Sequence, residues 1–459
     1  MSDGDEFHIG HFGHKGRQRA GATIFRGVIE SGSLVPRQVG GTRSGEKSMH
    51  NFLTRVEVTP QEILATAAQR TAKACAGRRI VAAQDTTEIN FKDRDRARKG
   101  LGPAGDGKSP GFFCHGMVAI DVDDETLLGV VHAHIWTRPP EKVENHKQRP
   151  IENKESMRWL EGTAAAGDVL KDAAQLIVLG DREFDIYAQF ARVPPGTELI
   201  VRASQDRKLA GEDARLFSAA TGWREFGRME IRVPPQRPGE VERIATVAVK
   251  AGRVCIARPA NGADRADAPS VTLTLVEVHE VDPPPGQKAI VWRLLTTMTV
   301  CGQPDELAAA QEIVRLYRLR WRIEQVFRAM KTDGFRLEET QIHEASRLFK
   351  LAAIAIVAAA RTIQLVDARD GSRRPASDVS DEKVIAAAEA IGPKLEGKTE
   401  RQKNPHPPRS LGWFAWIVAR LGGWNCYYKP PGPKTMRAGW TRLAAMADGY
   451  AIALAAQNE

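Results

Sequence analysis

Two short apolar runs constrain this fold more than anything else in the chain. Arg79-Ile-Val-Ala-Ala-Gln84 and Ala174-Gln-Leu-Ile-Val-Leu-Gly180 are uniformly apolar rather than periodic, and each runs straight into an aspartate, Asp85 and Asp181. Runs of this kind read as strands buried within a sheet. Alternating runs at 117–122 and 127–136 add two antiparallel strands, and 198–202 adds another. Helices are expected at 61–75 and 156–167, so the order describes a mixed α/β sheet. Asp85 and Asp181 are each expected at the end of a strand, side by side on neighbouring strands.

At 459 residues the chain exceeds the roughly 250–300 residues at which a single core stops growing. Residues 1–62 read as a small basic helical unit: a helix at 17–31, a glycine-rich loop at 40–45 and a second short helix at 48–55. Such a unit suits phosphate contacts and groove reading, or a helical cap on the main domain. Residues 63–227 and 305–366 read as two parts of one α/β domain. Between them, 228–304 is a series of short β-rich runs separated by Pro and Gly. An insertion there explains the long gap between Asp181 and Glu324, 324 − 181 = 143 residues. A charged loop, 141–154, is expected to be mobile without ligand. A polar linker, 367–375, leads into a C-terminal helical region, 367–459.

The net charge of +9 and a pI near 9.3 favour an acidic partner such as nucleic acid and fit simple solubility as well. Five cysteines lie far apart with no CxxC, which argues against a disulfide scaffold or structural zinc and suits a reducing cytoplasm. Residues 1–6 are acidic where a signal peptide would be basic. The longest apolar run, Leu351 to Ala360, is half of what a membrane span needs, about 20 residues, so no membrane partner is expected.

The stretch from Tyr317 to Lys331 has no Gly or Pro and reads as one helix of about four turns. Between Ile313 and Thr332 it carries six Lys or Arg and a single acid, Glu324. Tyr317, Arg320, Glu324 and Lys331 follow at intervals of 3, 4 and 7, along one stripe. A solvated basic face is the plain reading of such a run. A lone carboxylate among cations also suits a metal ligand beside a polyanion, which requires further carboxylates. Asp85 and Asp181 supply them; each alone reads better as a helix cap or turn residue, but together with the Glu324 stripe they do not. Three carboxylates suit a two-metal phosphoryl-transfer site, because Mg²⁺ prefers oxygen ligands.

The Tyr317-x2-Arg320-x3-Glu324-x6-Lys331 spacing, with Trp321-Arg322-Ile323 inside it, resembles that of the cut-and-paste DDE transposases related to the transposon-five enzyme, in the insertion-sequence-four family. Asp85-Thr-Thr, Asp181-Arg-Glu-x-Asp-Ile, Trp136-x-Arg138-Pro139, Trp292 before Leu294-Leu295-Thr296, and Ala419-Arg-Leu-Gly-Gly423 add to the resemblance. The family's Cys shortly after that Lys has no counterpart before Cys426. The resemblance implies an RNase H-like core with an all-β insertion, an N-terminal domain that binds transposon ends and a C-terminal dimerisation domain. It implies that Asp85, Asp181 and Glu324 hold two Mg²⁺ or Mn²⁺ ions. One strand at each end would be hydrolysed, the 3′-OH would form a hairpin on the opposite strand, and the reopened end would join target DNA. Trp292 would stack on a flipped base, while Tyr317, Arg320 and Arg202 hold its phosphate and Lys331, Trp321 and Arg322 contact DNA. The partners implied are double-stranded DNA at inverted repeats and target, and a second copy in a synaptic dimer. The location implied is the bacterial cytoplasm, at the nucleoid when bound. A domesticated, non-catalytic DNA binder and a structure-specific nuclease with the same core are the alternatives.

Overall fold

The computed structural model describes residues 7–91, 98–105, 107, 109–139, 150–233, 242–260, 264–331 and 334–457. The acidic start of the chain and residues 141–149 of the charged loop lie outside the described residues. The N-terminal part runs α1 (Lys15–Ser31), α2 (Pro36–Gly40), α3 (Arg43–Thr54) and α4 (Pro60–Cys75). Then come β1 (Arg79–Asn90), β2 (Gly102–Ala104), β3 (Ser109–Asp121), β4 (Leu127–Trp136), α5 (Met157–Val169), β5 (Gln175–Gly180), α6 (Tyr187–Ala191) and β6 (Thr197–Arg202). The strands β7 (Gly227–Val233), β8 (Arg243–Ala257), β9 (Ser270–Glu280) and β10 (Val291–Thr296) follow. The chain closes with α7 (Glu306–Arg318), α8 (Trp321–Lys331), α9 (Ala345–Ala368), α10 (Glu382–Leu395), α11 (Leu411–Leu421) and α12 (Pro433–Gln457). It is a mixed α/β protein of two compact units, one of Arg79–Asp85 and Val143–Trp321, the other of Met1–Arg78, Thr86–Lys142 and Arg322–Glu459.

In the first of these units the strands lie in the order β1-β5-β6-β10-β9-β8-β7. β1, β5 and β6 are parallel, and the remaining neighbours are antiparallel. The parallel strands are apolar along their length because both faces are covered: Ile80 to Ala83, Leu176 to Leu179 and Leu199 to Val201 are all buried. The Pro- and Gly-punctuated segment forms β7 to β10, and β10 pairs with β6, so these strands extend the same sheet. One expectation needs correcting. β1 does not end at Asp85 but continues to Asn90; only its parallel pairing with β5 stops short, at Ala83↔Leu179.

The other unit is built around α9. This helix is long and apolar enough to cross a membrane, but 94% of its most apolar window is buried inside the protein, as befits the central helix of a core. The N-terminal helices α1, α3 and α4 and the C-terminal α11 and α12 all pack on it. Lys350 of α9 caps the end of α3, its ammonium donating to the carbonyls of Leu53 at 2.9 Å and Arg55 at 2.6 Å. The expected glycine-rich loop is mostly helical: α2 ends at Gly40 and α3 begins at Arg43, with Thr42 accepting from Gly45 N at 3.1 Å as its cap. The two glycines are needed because the helix ends touch. A Cβ on Gly45 would lie 2.2 Å from the Gly40 carbonyl oxygen. The expected polar linker also starts later than the sequence suggested, since Asp367 is buried in the last turn of α9.

The largest correction concerns Tyr317 to Lys331, which is not one helix. α7 ends at Arg318 and α8 begins at Trp321. At the junction Leu319 N donates to Leu316 O at 3.0 Å and Arg320 N to Tyr317 O at 3.1 Å. These i to i−3 bonds tighten the last turn of α7 and end its ladder. Tyr317 and Arg320 are buried, so the four residues do not form one exposed polar stripe. No Gly or Pro marks the break, and Arg320 at the junction is buried with its guanidinium on Asp85.

Candidate active site

The geometry begins with strand register. β1 and β5 pair as Ala83↔Leu179, β5 and β6 as Gly180↔Val201, and β6 and β10 as Arg202↔Leu294. Continued by two positions, the first offset (179 − 83 = 96) sets Asp85 opposite Asp181; continued by one, the second (201 − 180 = 21) sets Asp181 opposite Arg202. Side chains opposite one another in register share a face, and neighbouring strands are about 4.8 Å apart. Asp85, Asp181, Arg202 and Leu294 therefore fall in one row, where the parallel pairing of β1 with β5 and of β5 with β6 runs out. Trp292, two residues from Leu294 on β10, lies on the same face.

Asp181 follows β5 directly and caps a short 3₁₀ turn, its Oδ1 accepting from Glu183 N at 2.8 Å. Gly180 precedes it because the Phe184 ring folds back against the strand: a Cβ there would lie 2.2 Å from that ring. From the helix side, the Arg320 guanidinium reaches Asp85, with Nη1 2.8 Å from Oδ2, and stacks near the Trp321 ring at 5.5 Å. Trp321 is half exposed. The Trp292 ring meets Tyr317 edge-on at 5.9 Å, and the Arg202 guanidinium lies 6.0 Å from the Trp292 centroid. Burial raises the Tyr317 phenol above its usual range, against the pull of Arg320 and Arg202, so it stays neutral. Burial likewise lowers Arg202, offset by Tyr317. One unit thus brings together two aspartates, two arginines, a neutral phenol and an indole.

The sequence also carried a residue whose role was not legible. Asp185 is buried, and its carboxylate accepts from Ser204 N at 2.8 Å, Gln205 N at 2.9 Å and the Arg207 guanidinium at 3.0 and 2.6 Å. Its carbonyl accepts from Gln205 Nε2 and Arg207 Nη2. The loop after β5, with Asp181, is therefore braced to the loop after β6, next to Arg202. The Asp181-Arg-Glu-x-Asp spacing was visible; the distant Arg207 that completes the brace was not.

The remaining residues lie in the unit of α8 and α9. Glu324 is in the first turn of α8, where the helix dipole favours a carboxylate. Lys331, at the other end of α8, donates to the Glu88 carbonyl and lies 3.5 Å from Glu338. Arg322 is held by the buried Asp367, Nη1 to Oδ1 3.0 Å, and donates to the Glu125 carbonyl at 3.3 Å, so its guanidinium is committed within the protein.

Among the described residues no three His, Cys, Asp or Glu side chains form a group that could hold a metal ion. The pair Asp85 and Asp181 nonetheless suits a hard divalent cation, being oxygen donors on adjacent strands. Arg320 shows that a positive group is accommodated there, since its guanidinium already sits on Asp85.

Residues 161–361 match the family model of the transposase DDE domain. The matched stretch contains Asp181, Arg202, Trp292, Tyr317, Arg320, Glu324 and Lys331 but begins after Asp85, and covers 201 residues (361 − 161 + 1) of 459. The match supports a DDE transposase, a DNA-acting enzyme of a class that works with divalent metal ions.

Proposed function

We propose that this protein is a cut-and-paste transposase: it binds the inverted repeats of its element, cleaves there in the presence of Mg²⁺ or Mn²⁺, and joins the freed 3′-OH ends to target DNA. The observation that carries this reading is the row of Asp85, Asp181 and Arg202 just past the last parallel pairs of their strands, faced by Arg320 and Tyr317. Carboxylates and phosphate-binding cations in one place suit phosphoryl transfer on a nucleic-acid backbone, where positioning and charge stabilisation do most of the catalysis.

Asp85 and Asp181 are the proposed ligands on the sheet, and Glu324 is assigned the third carboxylate on its spacing from Tyr317, Arg320 and Lys331. A divalent pair bound there would activate the attacking oxygen and stabilise the leaving one. Arg320 would exchange Asp85 for a DNA phosphate, and Arg202 and the neutral Tyr317 hydroxyl would hold a second phosphate oxygen. Trp292, beside both, offers a π-face on which an extruded base stacks, which suits a hairpin intermediate. The half-exposed Trp321 is a further stacking surface, and Lys331 a phosphate contact. The N-terminal helices would recognise the ends, and a second copy would be engaged in the synaptic complex.

The test uses purified full-length protein and a duplex carrying the inverted repeats that flank its gene, with Mg²⁺ and then Mn²⁺. The reading expects a nick leaving a 3′-OH at the repeat boundary, a hairpin end and joined products. Binding without cleavage in either metal, or cleavage indifferent to the repeat, would overturn it.

A further inference from the structure

We propose that Asp367 and Arg322 are positioning residues for Glu324: the carboxylate in the last turn of α9 grips the guanidinium in the first turn of α8 and so fixes the turn from which Glu324 projects. The proposal rests on the reading of Glu324 as a metal ligand.

Arg322 is anchored at several points. Its Nη1 lies 3.0 Å from Asp367 Oδ1 and 3.5 Å from the Gln325 side-chain oxygen, and its Nη2 donates to the Glu125 carbonyl at 3.3 Å, in the turn between β3 and β4. Asp367 Oδ2 accepts from Leu127 N at 3.1 Å, at the start of β4. Two separate elements, α9 and the β3–β4 turn, therefore meet the residue two positions before Glu324, and β4 holds Asp367 in turn. The Asp367 side chain is 1% exposed; beside it in α9 lie the buried Leu365, Val366 and Ala368, with Gln364 one turn earlier donating to the Leu128 carbonyl at 2.8 Å. The other charged groups facing it are Arg369 and Asp370 at the end of α9, with Arg374 donating to the Leu127 carbonyl nearby.

A carboxylate so deeply buried is costly to ionise. Burial pushes Asp367 up to about 6 from an ordinary 3.8, even though Arg322 and the Leu127 N–H pull the other way. A neutral side chain of the same shape would fill the space without that cost, so stability alone does not account for an acid here. Orientation of a residue that bears on metal binding does: partners one step removed from a metal ligand typically govern 10- to 100-fold in metal affinity or activity. As pH falls through about 6 the carboxyl protonates, the hold on Arg322 loosens, and the first turn of α8 is less firmly set.

The experiment compares wild type with Asp367→Asn, Arg322→Gln, Arg322→Lys and Glu324→Ala in full-length protein, with repeat duplex as substrate. Cleavage rate is measured against Mg²⁺ concentration and pH, and end binding serves as the folding control. The expected result is that Asp367→Asn and Arg322→Gln raise the Mg²⁺ midpoint about tenfold or more at pH 8, with end binding within about twofold. Arg322→Lys should recover part of the loss. The rate ratio of wild type to Asp367→Asn should fall toward one as pH drops through about 6. An unchanged midpoint, or a ratio constant between pH 5.5 and 8.5, would overturn the proposal while leaving Glu324 as a ligand. Cleavage retained by Glu324→Ala would overturn the functional reading itself, and the proposal with it. If Asp367→Asn or Arg322→Gln fails to bind ends, the wild-type Mg²⁺ midpoint decides: one that does not rise as pH drops through about 6 rejects the proposal.

Discussion

Asp185 offers the sharpest physical prediction. Its carboxylate receives two backbone N–H groups and two Arg207 N–H groups with no exposed side-chain surface. Asp185→Asn keeps the shape, but replaces one acceptor oxygen by an NH₂ that must face donors, and leaves the Arg207 cation buried and unpaired. Breaking such a pair on one side costs about 3–5 kcal/mol. At about 1.4 kcal/mol per decade, local opening of the β5–β6 loops should become about 10²- to 10⁴-fold more frequent. Hydrogen exchange followed by mass spectrometry reads this directly in peptides spanning 181–207, with β8 and β9 peptides as an internal reference. Because the same loops carry Asp181 and flank Arg202, cleavage should fall in parallel. Replacing both members of the pair, Asp185→Leu with Arg207→Met, should restore protection only in part, since Ser204 N and Gln205 N would still lack an acceptor. A loss of protection smaller than tenfold in Asp185→Asn would refute the brace.

Three further outcomes follow from single contacts. Trp292→Ala, which removes the ring beside Tyr317 and Arg202, should leave first-strand nicking nearly intact and reduce hairpin formation; equal loss of both steps, read on denaturing gels, would contradict a stacking role. Asp367 has a folded value raised above its unfolded one, so it binds more protons in the native state between about 4 and 6. Its contribution to stability is therefore present at low pH and lost as pH rises through that window, by ~3 kcal/mol; denaturant titrations should show wild type losing ground to Asp367→Asn over that range, and parallel curves would contradict it. Gly45→Ala puts a Cβ 2.2 Å from the Gly40 carbonyl oxygen, an overpacking cost of about 1–3 kcal/mol that outweighs the better helix propensity of Ala. Its melting temperature should fall, and one at or above wild type would refute the close approach.

The buried strands that carry Asp85 and Asp181 were legible because they are written in short local patterns. Short, largely apolar runs bounded by polar residues read as buried strands, and the β1–β5 register, continued two positions past its last pair, sets Asp85 opposite Asp181, although β1 itself runs on to Asn90. The break between α7 and α8 was not legible: Leu319 and Arg320 are good helix formers, and the Arg320–Asp85 pair that accompanies the break joins residues 235 apart in the chain. Arg322 looked like one more DNA-facing cation for the same reason, its partner Asp367 being 45 residues away (367 − 322). Asp367 itself sat at the edge of a polar stretch, and nothing local shows that α9 carries it one turn deeper into the core. Local propensity specifies elements, whereas the placement of a charged side chain depends on which distant group can pair with it.

The central claim is that Asp85, Asp181 and Glu324 act together in metal-dependent cleavage. It is tested most directly by replacing each with Ala and measuring cleavage of the repeat duplex in Mg²⁺, with end binding measured on the same preparations. The account predicts that each variant binds the ends as wild type does and cuts none of them; wild-type cleavage by any one of the three would contradict it.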